Sequence, residues 1–345
     1  MKSLKVLTID ELLDRLDELN EARAEGEDYH LNQIIAIEEM LLRKLTNEDN
    51  EYGFNKTKKD LIAHLVKYGT YLKTEYRKDD NSAKLTLKKA LQYDRGIPQA
   101  YYRLGFLAYK EEDYTASLNY FQKALRSNEE HPEHAFKLSK QQQYNANLYL
   151  SNSALHIAAA AQEASEELSL DVEVEEKRID SLVLSPMYDL IAENEMYLTS
   201  RAFMLLTAAE TRYCSRSEYE ELQKEYQDHV FLDFAGTENT LGYRGQRVSI
   251  SIGLADVLLV LMIDASMESP AEKNKMEDVL QSKDGELDTN TYSQTIRRIR
   301  EKLKAIGLPG EIIVTVPKAG KRDTAYYYDA SFIPYLVIQR TDDIR

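Results

Sequence analysis

The residues best equipped for chemistry lie between Asp288 and Ile306. Arg297, Arg298, Arg300 and Lys302 place four cations within six consecutive positions, in a chain whose formal net charge is −15. Tyr292, Ile296, Ile299, Leu303 and Ile306 recur at spacings of four, three, four and three. At about 100° per residue these five form one apolar stripe of a helix. Asn290, Gln294, Arg297, Arg298 and Glu301 then fall on the opposite face, with Arg300 and Lys304 on its flank. Guanidinium groups fit the acceptors of guanine, and side-chain amides fit the edge of adenine. Such a face carries the donors needed to read a DNA major groove. Downstream, Lys318, Lys321 and Arg322 crowd one turn, where cations would meet phosphates. A charged helix face alone is better read as a solvated surface; the stripe, the face and the basic turn in register favour nucleic acid.

Other reactive groups are sparse. Cys214 is the only cysteine, which excludes an internal disulfide and a cysteine metal cluster. Arg212 and Ser215 lie beside it, but a lone cysteine is more often a small buried hydrophobe than a nucleophile. His131 and His134 in "HPEH" stand at i and i+3 with no third ligand in view, so no metal is expected. The chain has no Walker loop, nucleophile elbow or dinucleotide fingerprint. No catalytic residue, cofactor or enzymatic activity is expected.

The charge is unevenly spread. Val230 to Arg345 holds 15 basic and 17 acidic residues, a net of −2, and the first 229 residues hold 29 and 42, a net of −13. Asp288 to Arg322 holds 8 and 3, a net of +5. The acidity therefore belongs to the first two thirds, and a basic patch to the last. The longest apolar run, around Val257 to Ile263, is too short to cross a bilayer, and "MKSLKVLTIDELLDRLDEL" lacks an apolar signal core. That start reads as a helix opened by a capping box of Thr8 and Glu11. A cytoplasmic protein without membrane partners is expected.

The elements that must position the basic face come next. "ALQYDRGIPQAYYRL" (90–104) aligns with "ALRSNEEHPEHAFKL" (124–138) at an offset of 34 residues, pairing Ala90 with Ala124, Pro98 with Pro132 and Leu104 with Leu138. Gly105 and Ala124 would let two helices approach, with Tyr101, Leu104, Phe121 and Leu125 filling the space between them. Pro98 and Pro132 are expected in the first turn of new helices. The unit "AYYRLGFLAYKEEDYTASLNYFQKALRSN" resembles the tetratricopeptide repeat in its period, in its Leu104-Gly105 pair, and in Tyr101, Tyr114, Phe121 and Ala124. Helical spacing recurs over 31–45, 59–76, 145–168 and 188–213, and Ser215 opens a further helix. The resemblance implies an α-solenoid with a peptide-binding groove. Of the 24 tyrosines, Tyr68, Tyr71, Tyr101, Tyr102, Tyr144 and Tyr149 are candidates to line it, although for any one of them packing between repeats is the favoured reading.

After Val230 the pattern changes to "VFLDF", a strand near Val248 and Ile250, and an apolar helix "GLADVLLVLMIDA". A second helix is expected from Ser269 as N-cap, Pro270 and Glu272, and a third runs from Asp288 or Thr289 to Gly307. Strands at 312–316 and 325–328 flank the basic turn. Ile296-Arg297-Arg298-Ile299-Arg300-Glu301-Lys302-Leu303 and Ile313-Val314-Thr315-Val316 resemble the third helix and following strand of the OmpR/PhoB-type winged-helix domain. Pro317 and the longer "KAGKRDTAYYY" depart from that family's wing, and no receiver domain precedes it. The expected fold is mainly α: N-terminal helices (1–58), a tetratricopeptide-like solenoid (59–228) and an α/β winged helix-turn-helix (229–345). The resemblances imply a transcription regulator that binds double-stranded DNA, whose solenoid receives a peptide or protein and mediates self-association. The alternative is an interaction adaptor whose winged helix does not read DNA.

Overall fold

The computed structural model describes residues 4–24, 31–46, 48, 50–73, 79–169, 184–236, 239–280, 289–317 and 324–341. It is mainly helical. Helices α1 (Ile9–Ala24), α2 (Leu31–Leu45), α3 (Glu51–Lys73), α4 (Asp80–Tyr93), α5 (Pro98–Lys110), α6 (Tyr114–Glu130), α7 (Lys140–Ser169) and α8 (Leu184–Ser200) come first. Strands β1 (Phe203–Leu206) and β2 (Thr211–Cys214), helix α9 (Arg216–Glu225) and strands β3 (Val230–Asp233), β4 (Thr240–Tyr243) and β5 (Gln246–Ser249) follow. Helices α10 (Ile252–Ile263), α11 (Lys273–Leu280) and α12 (Thr289–Ala305) precede β6 (Ile313–Pro317), β7 (Thr324–Tyr328) and β8 (Tyr335–Arg340). Among the described residues no helix is long and apolar enough to cross a membrane.

The chain forms two compact units, Glu48–Arg201 and a second made of Met1–Asn47 with Ala202–Asp343. In the first, neighbouring helices pack in chain order from α3 to α8. Asp79 and Asp113, 34 residues apart, both cap helices by accepting from the N–H three residues on. Gly105 is where α5 meets α6 most closely: a Cβ there would lie 3.0 Å from the ring of Phe121. That ring is itself fixed, stacked on Tyr149 at 5.2 Å and met edge-on by Tyr102 at 5.6 Å. Pro98 begins α5 as expected, but Pro132 starts no helix. The backbone after it is held as a turn, with the Leu138 N–H donating to Asn128 and the Phe136 N–H to His134, and α7 begins only at Lys140.

The second unit is built on a six-stranded sheet in the order β2-β1-β8-β3-β4-β5, antiparallel except where β3 meets β8. Val230, Leu232, Tyr335 and Val337 form one core with α10, α11, α12 and the β6–β7 hairpin. Leu205, Leu336 and Ile338 form another, with Leu222 of α9. Each fully buried aliphatic side chain in these cores contributes about 1.5–3 kcal/mol. The α1–α2 pair has its own cluster of Leu12, Leu19, Ile34, Ile37 and Leu41, opened by the expected Thr8–Glu11 capping box.

Four expectations change. The helical pattern read across 188–213 stops at Ser200, because the apolar run "FMLL" is taken between β2 and β8 as a strand. The division expected at 228/229 falls at 201/202 for the same reason, and α9 covers the sheet. Residues 1–47 group with the C-terminal part, so the division at 58/59 also shifts. The start signals Ser269, Pro270 and Glu272 do not open a helix. Ala271 exchanges both backbone hydrogen bonds with Tyr326, at 2.7 and 2.9 Å, which holds it extended until Lys273.

Candidate nucleic-acid interface

Helix α12 carries the basic string. Its apolar stripe is buried as the spacing requires: Tyr292, Ile296, Ile299, Leu303 and Ile306 are all at most 1% exposed. The helix stops because Gly307 adopts a φ of +83°, a conformation that other residues rarely take. Gly310 then returns so close that a Cβ would sit 3.0 Å from the Cβ of Arg300.

The cations divide into two pairs. Arg297 points outward, its side chain 71% exposed, and its Nε lies 3.6 Å from the carboxylate of Glu301. Arg298 is partly buried on the same side of the string, and Gln294 and Lys304 are exposed. Lys302 does not reach outward: its Nζ donates to the Ser249 carbonyl at 3.0 Å, at the end of β5. Arg300 departs from the expected groove contact. Its Nη2 donates to the Ile313 carbonyl and to Thr315 Oγ1, each at 2.7 Å, and its guanidinium lies over the Tyr326 ring at 5.7 Å. The reason is geometric. At the flank of the helix a long side chain meets β6 before it meets solvent. The side chain of Asn290 and residues Lys318, Lys321 and Arg322 lie outside the described residues.

The expected groove tyrosines divide as sharply. Tyr102 is fully buried, so it is core and cannot line a groove. Tyr149 is sandwiched, stacked on Phe121 and edge-on to Phe106 and Tyr109 at 5.8 and 5.0 Å. Tyr101 is partly buried with Lys123 Nζ 6.0 Å over its ring, and Tyr68 is also partly buried. Among the candidates whose side chains are described, only Tyr144 is half exposed, its ring 5.1 Å from Tyr197. The side chain of Tyr71 lies outside the described residues. A polar cluster that spacing did not single out joins α5, α7 and α8: Tyr109 donates to Glu195 at 2.8 Å and accepts from Asn152, which in turn accepts from Asn194. Burial pushes the Tyr109 hydroxyl well above its ordinary range.

Elsewhere the chemistry is quiet. His134 is engaged on both ring nitrogens, by Asp94 at 3.2 Å and by the Phe136 N–H at 2.9 Å. Cys214 is buried in the sheet, and burial pushes its thiol up to about 11. A cavity of about 10 Å³ beside Asp233, Tyr219 and Arg247 has room for no more than a water. No protein-family model, curated protein or solved structure matches the chain.

Proposed function

We propose that the protein is a DNA-binding transcription regulator, with a winged helix-turn-helix in its C-terminal unit and a tetratricopeptide-type solenoid over Glu48–Arg201. The observation that carries this reading is α12: one face buried to within 1%, the opposite face offering Gln294, Arg297 and Arg298, with a two-stranded hairpin fastened beside it. The order of three helices and then a hairpin supports a winged helix, as does the extended Ala271 that bridges to the hairpin. The Gly105–Phe121 contact and the paired caps at Asp79 and Asp113 support a 34-residue repeat. Arg297 and Arg298 would address bases or phosphates in the major groove, with Lys304 on the backbone. The helical unit would receive a peptide or protein and mediate self-association in the cytoplasm. Of the candidate tyrosines whose side chains are described, Tyr144 is the one presented for such a contact.

A second reading is favoured by one pair. Glu301 neutralises Arg297 across one turn of the same helix, and the chain as a whole is acidic. An adaptor whose winged helix no longer reads DNA would tolerate that acid. Binding of the full chain to random genomic duplex fragments across a salt series separates the two. The regulator binds with an affinity that falls steeply with salt and enriches particular sequences. The absence of binding in a folded chain removes that reading and leaves the adaptor.

A further inference from the structure

The contacts of Arg300 form part of a larger arrangement centred on Tyr326. Thr315 and Tyr326 face each other as one rung of the β6–β7 hairpin. Arg300 grips that rung from α12, with two hydrogen bonds of 2.7 Å and its guanidinium carbon 5.7 Å over the ring. Tyr292, two turns earlier on the same helix, meets the Tyr326 ring edge-on at 5.3 Å and donates its hydroxyl to the Ala271 carbonyl at 3.0 Å. Ala271 in turn holds the backbone of Tyr326 by two hydrogen bonds. Eight residues of helix separate Tyr292 from Arg300, a rise of about 12 Å. The hairpin is therefore held to α12 through the Tyr326 ring, which meets both side chains, and through the Ile313 carbonyl and Thr315 Oγ1, which Arg300 bonds.

From this geometry we infer that Arg300 is a positioning residue for nucleic-acid recognition. It locks the β6–β7 hairpin against α12, so that the outward face of the helix and the hairpin strands reach the duplex as one rigid surface. It does not itself contact DNA. This rests on the DNA-binding reading above. The assignment makes a chemical demand that a phosphate contact would not make. Arg300 makes both bonds from one nitrogen while the rest of its guanidinium lies over the ring. Lysine keeps the charge and would still serve a phosphate, but its single ammonium carries no planar group to set over Tyr326.

The test uses the full chain and the variants Arg300→Lys, Arg300→Ala and Thr315→Val. Two quantities are read: affinity for genomic duplex DNA across a salt series, and amide hydrogen exchange over 313–317 and 324–328 without DNA. The expected result is that both Arg300 variants bind DNA about tenfold more weakly. Hairpin exchange should rise in both, while exchange in Glu48–Arg201 stays as in the unaltered chain. Thr315→Val should raise hairpin exchange less, and adding it to Arg300→Lys should cost less than the sum of the two changes. Should Arg300→Ala fail to fold, Arg300→Lys and Thr315→Val still decide. Unaltered affinity in Arg300→Lys overturns the inference, and so does weakened binding with an unchanged hairpin. A chain that binds no duplex at all would remove the DNA-binding reading and the inference with it; that outcome is seen in the unaltered protein before any variant is compared.

Discussion

The helical unit Glu48–Arg201 and helix α12 were both expected to present binding residues, and they treat them in opposite ways. In the helical unit Tyr102 and Tyr149 are drawn inward, between α5, α6 and α7. On α12, Arg297 remains in solvent while the flanking Arg300 and Lys302 are tied down, each onto backbone carbonyl oxygen. The difference follows from the side chains. A tyrosine ring gains from burial and its hydroxyl needs only one partner, so the residue is equally at home in a core or on a surface. A guanidinium is costly to bury unless several donors are satisfied, so it leaves the surface only where acceptors are already arranged. An exposed arginine face is thus the stronger functional signal of the two.

The largest effect expected from this contrast is within one residue type. Tyr102→Ala should cost about 3–5 kcal/mol, as for other fully buried aromatics. Tyr144→Ala, at a half-exposed position, should cost under about 1 kcal/mol. Denaturant unfolding of the two variants measures both, and equal losses would break the distinction between core and presented tyrosines. Next, Arg297→Ala combined with Arg298→Ala should weaken DNA binding by about 1–3 kcal/mol per contact while leaving the melting temperature unchanged. An unchanged affinity would place those arginines with the solvated surface.

A smaller loss tests the close approach in the helical unit. Gly105→Ala should destabilise by about 1–3 kcal/mol, because Phe121 is held by Tyr102 and Tyr149 and has little room to withdraw. A neutral melt would show that the ring yields.

Cys214 supplies a pH test on the other unit. Its thiol is raised in the folded state, so folding favours the protonated form. That contribution is fully present below the ordinary thiol range and is lost as the pH rises toward about 11. Thiol reagents at neutral pH should therefore label Cys214 only after unfolding; rapid labelling of the native chain would refute its burial. The smallest effect belongs to Glu301→Gln. The pair with Arg297 is exposed on both sides, so stability should shift by less than about 0.5 kcal/mol. DNA affinity at low salt should nevertheless rise, and a fall would mean that the carboxylate helps to orient Arg297.

Much of the frame was legible because it is local. The stripe of α12, the Thr8–Glu11 capping box, the Ser215 cap and the strand near Val248 follow from rules that act within a few residues. Local rules also misled where distant partners intervened. "FMLL" fits a helix by spacing and became a strand because β8, more than 120 positions along the chain, was there to pair with it. Ser269, Pro270 and Glu272 announce a helix, and Tyr326 overruled them by taking both backbone groups of Ala271. β8 itself, the strand between β1 and β3 in the sheet, gave no warning of its central place.

The sequence by itself determined that α12 would bury one stripe and expose a charged face, since period and hydrophobicity leave no other arrangement. It also determined that the acidity and the basic patch would lie in different parts of the chain. Only the tertiary structure decided which cations stay available. Arg300 and Lys302 are committed to the carbonyls of Ile313 and Ser249, 13 and 53 residues away. Every residue carries a carbonyl, so nothing in the string "RRIREK" (297–302) could name those partners. The choice is made by which backbone the fold brings within reach of each side chain.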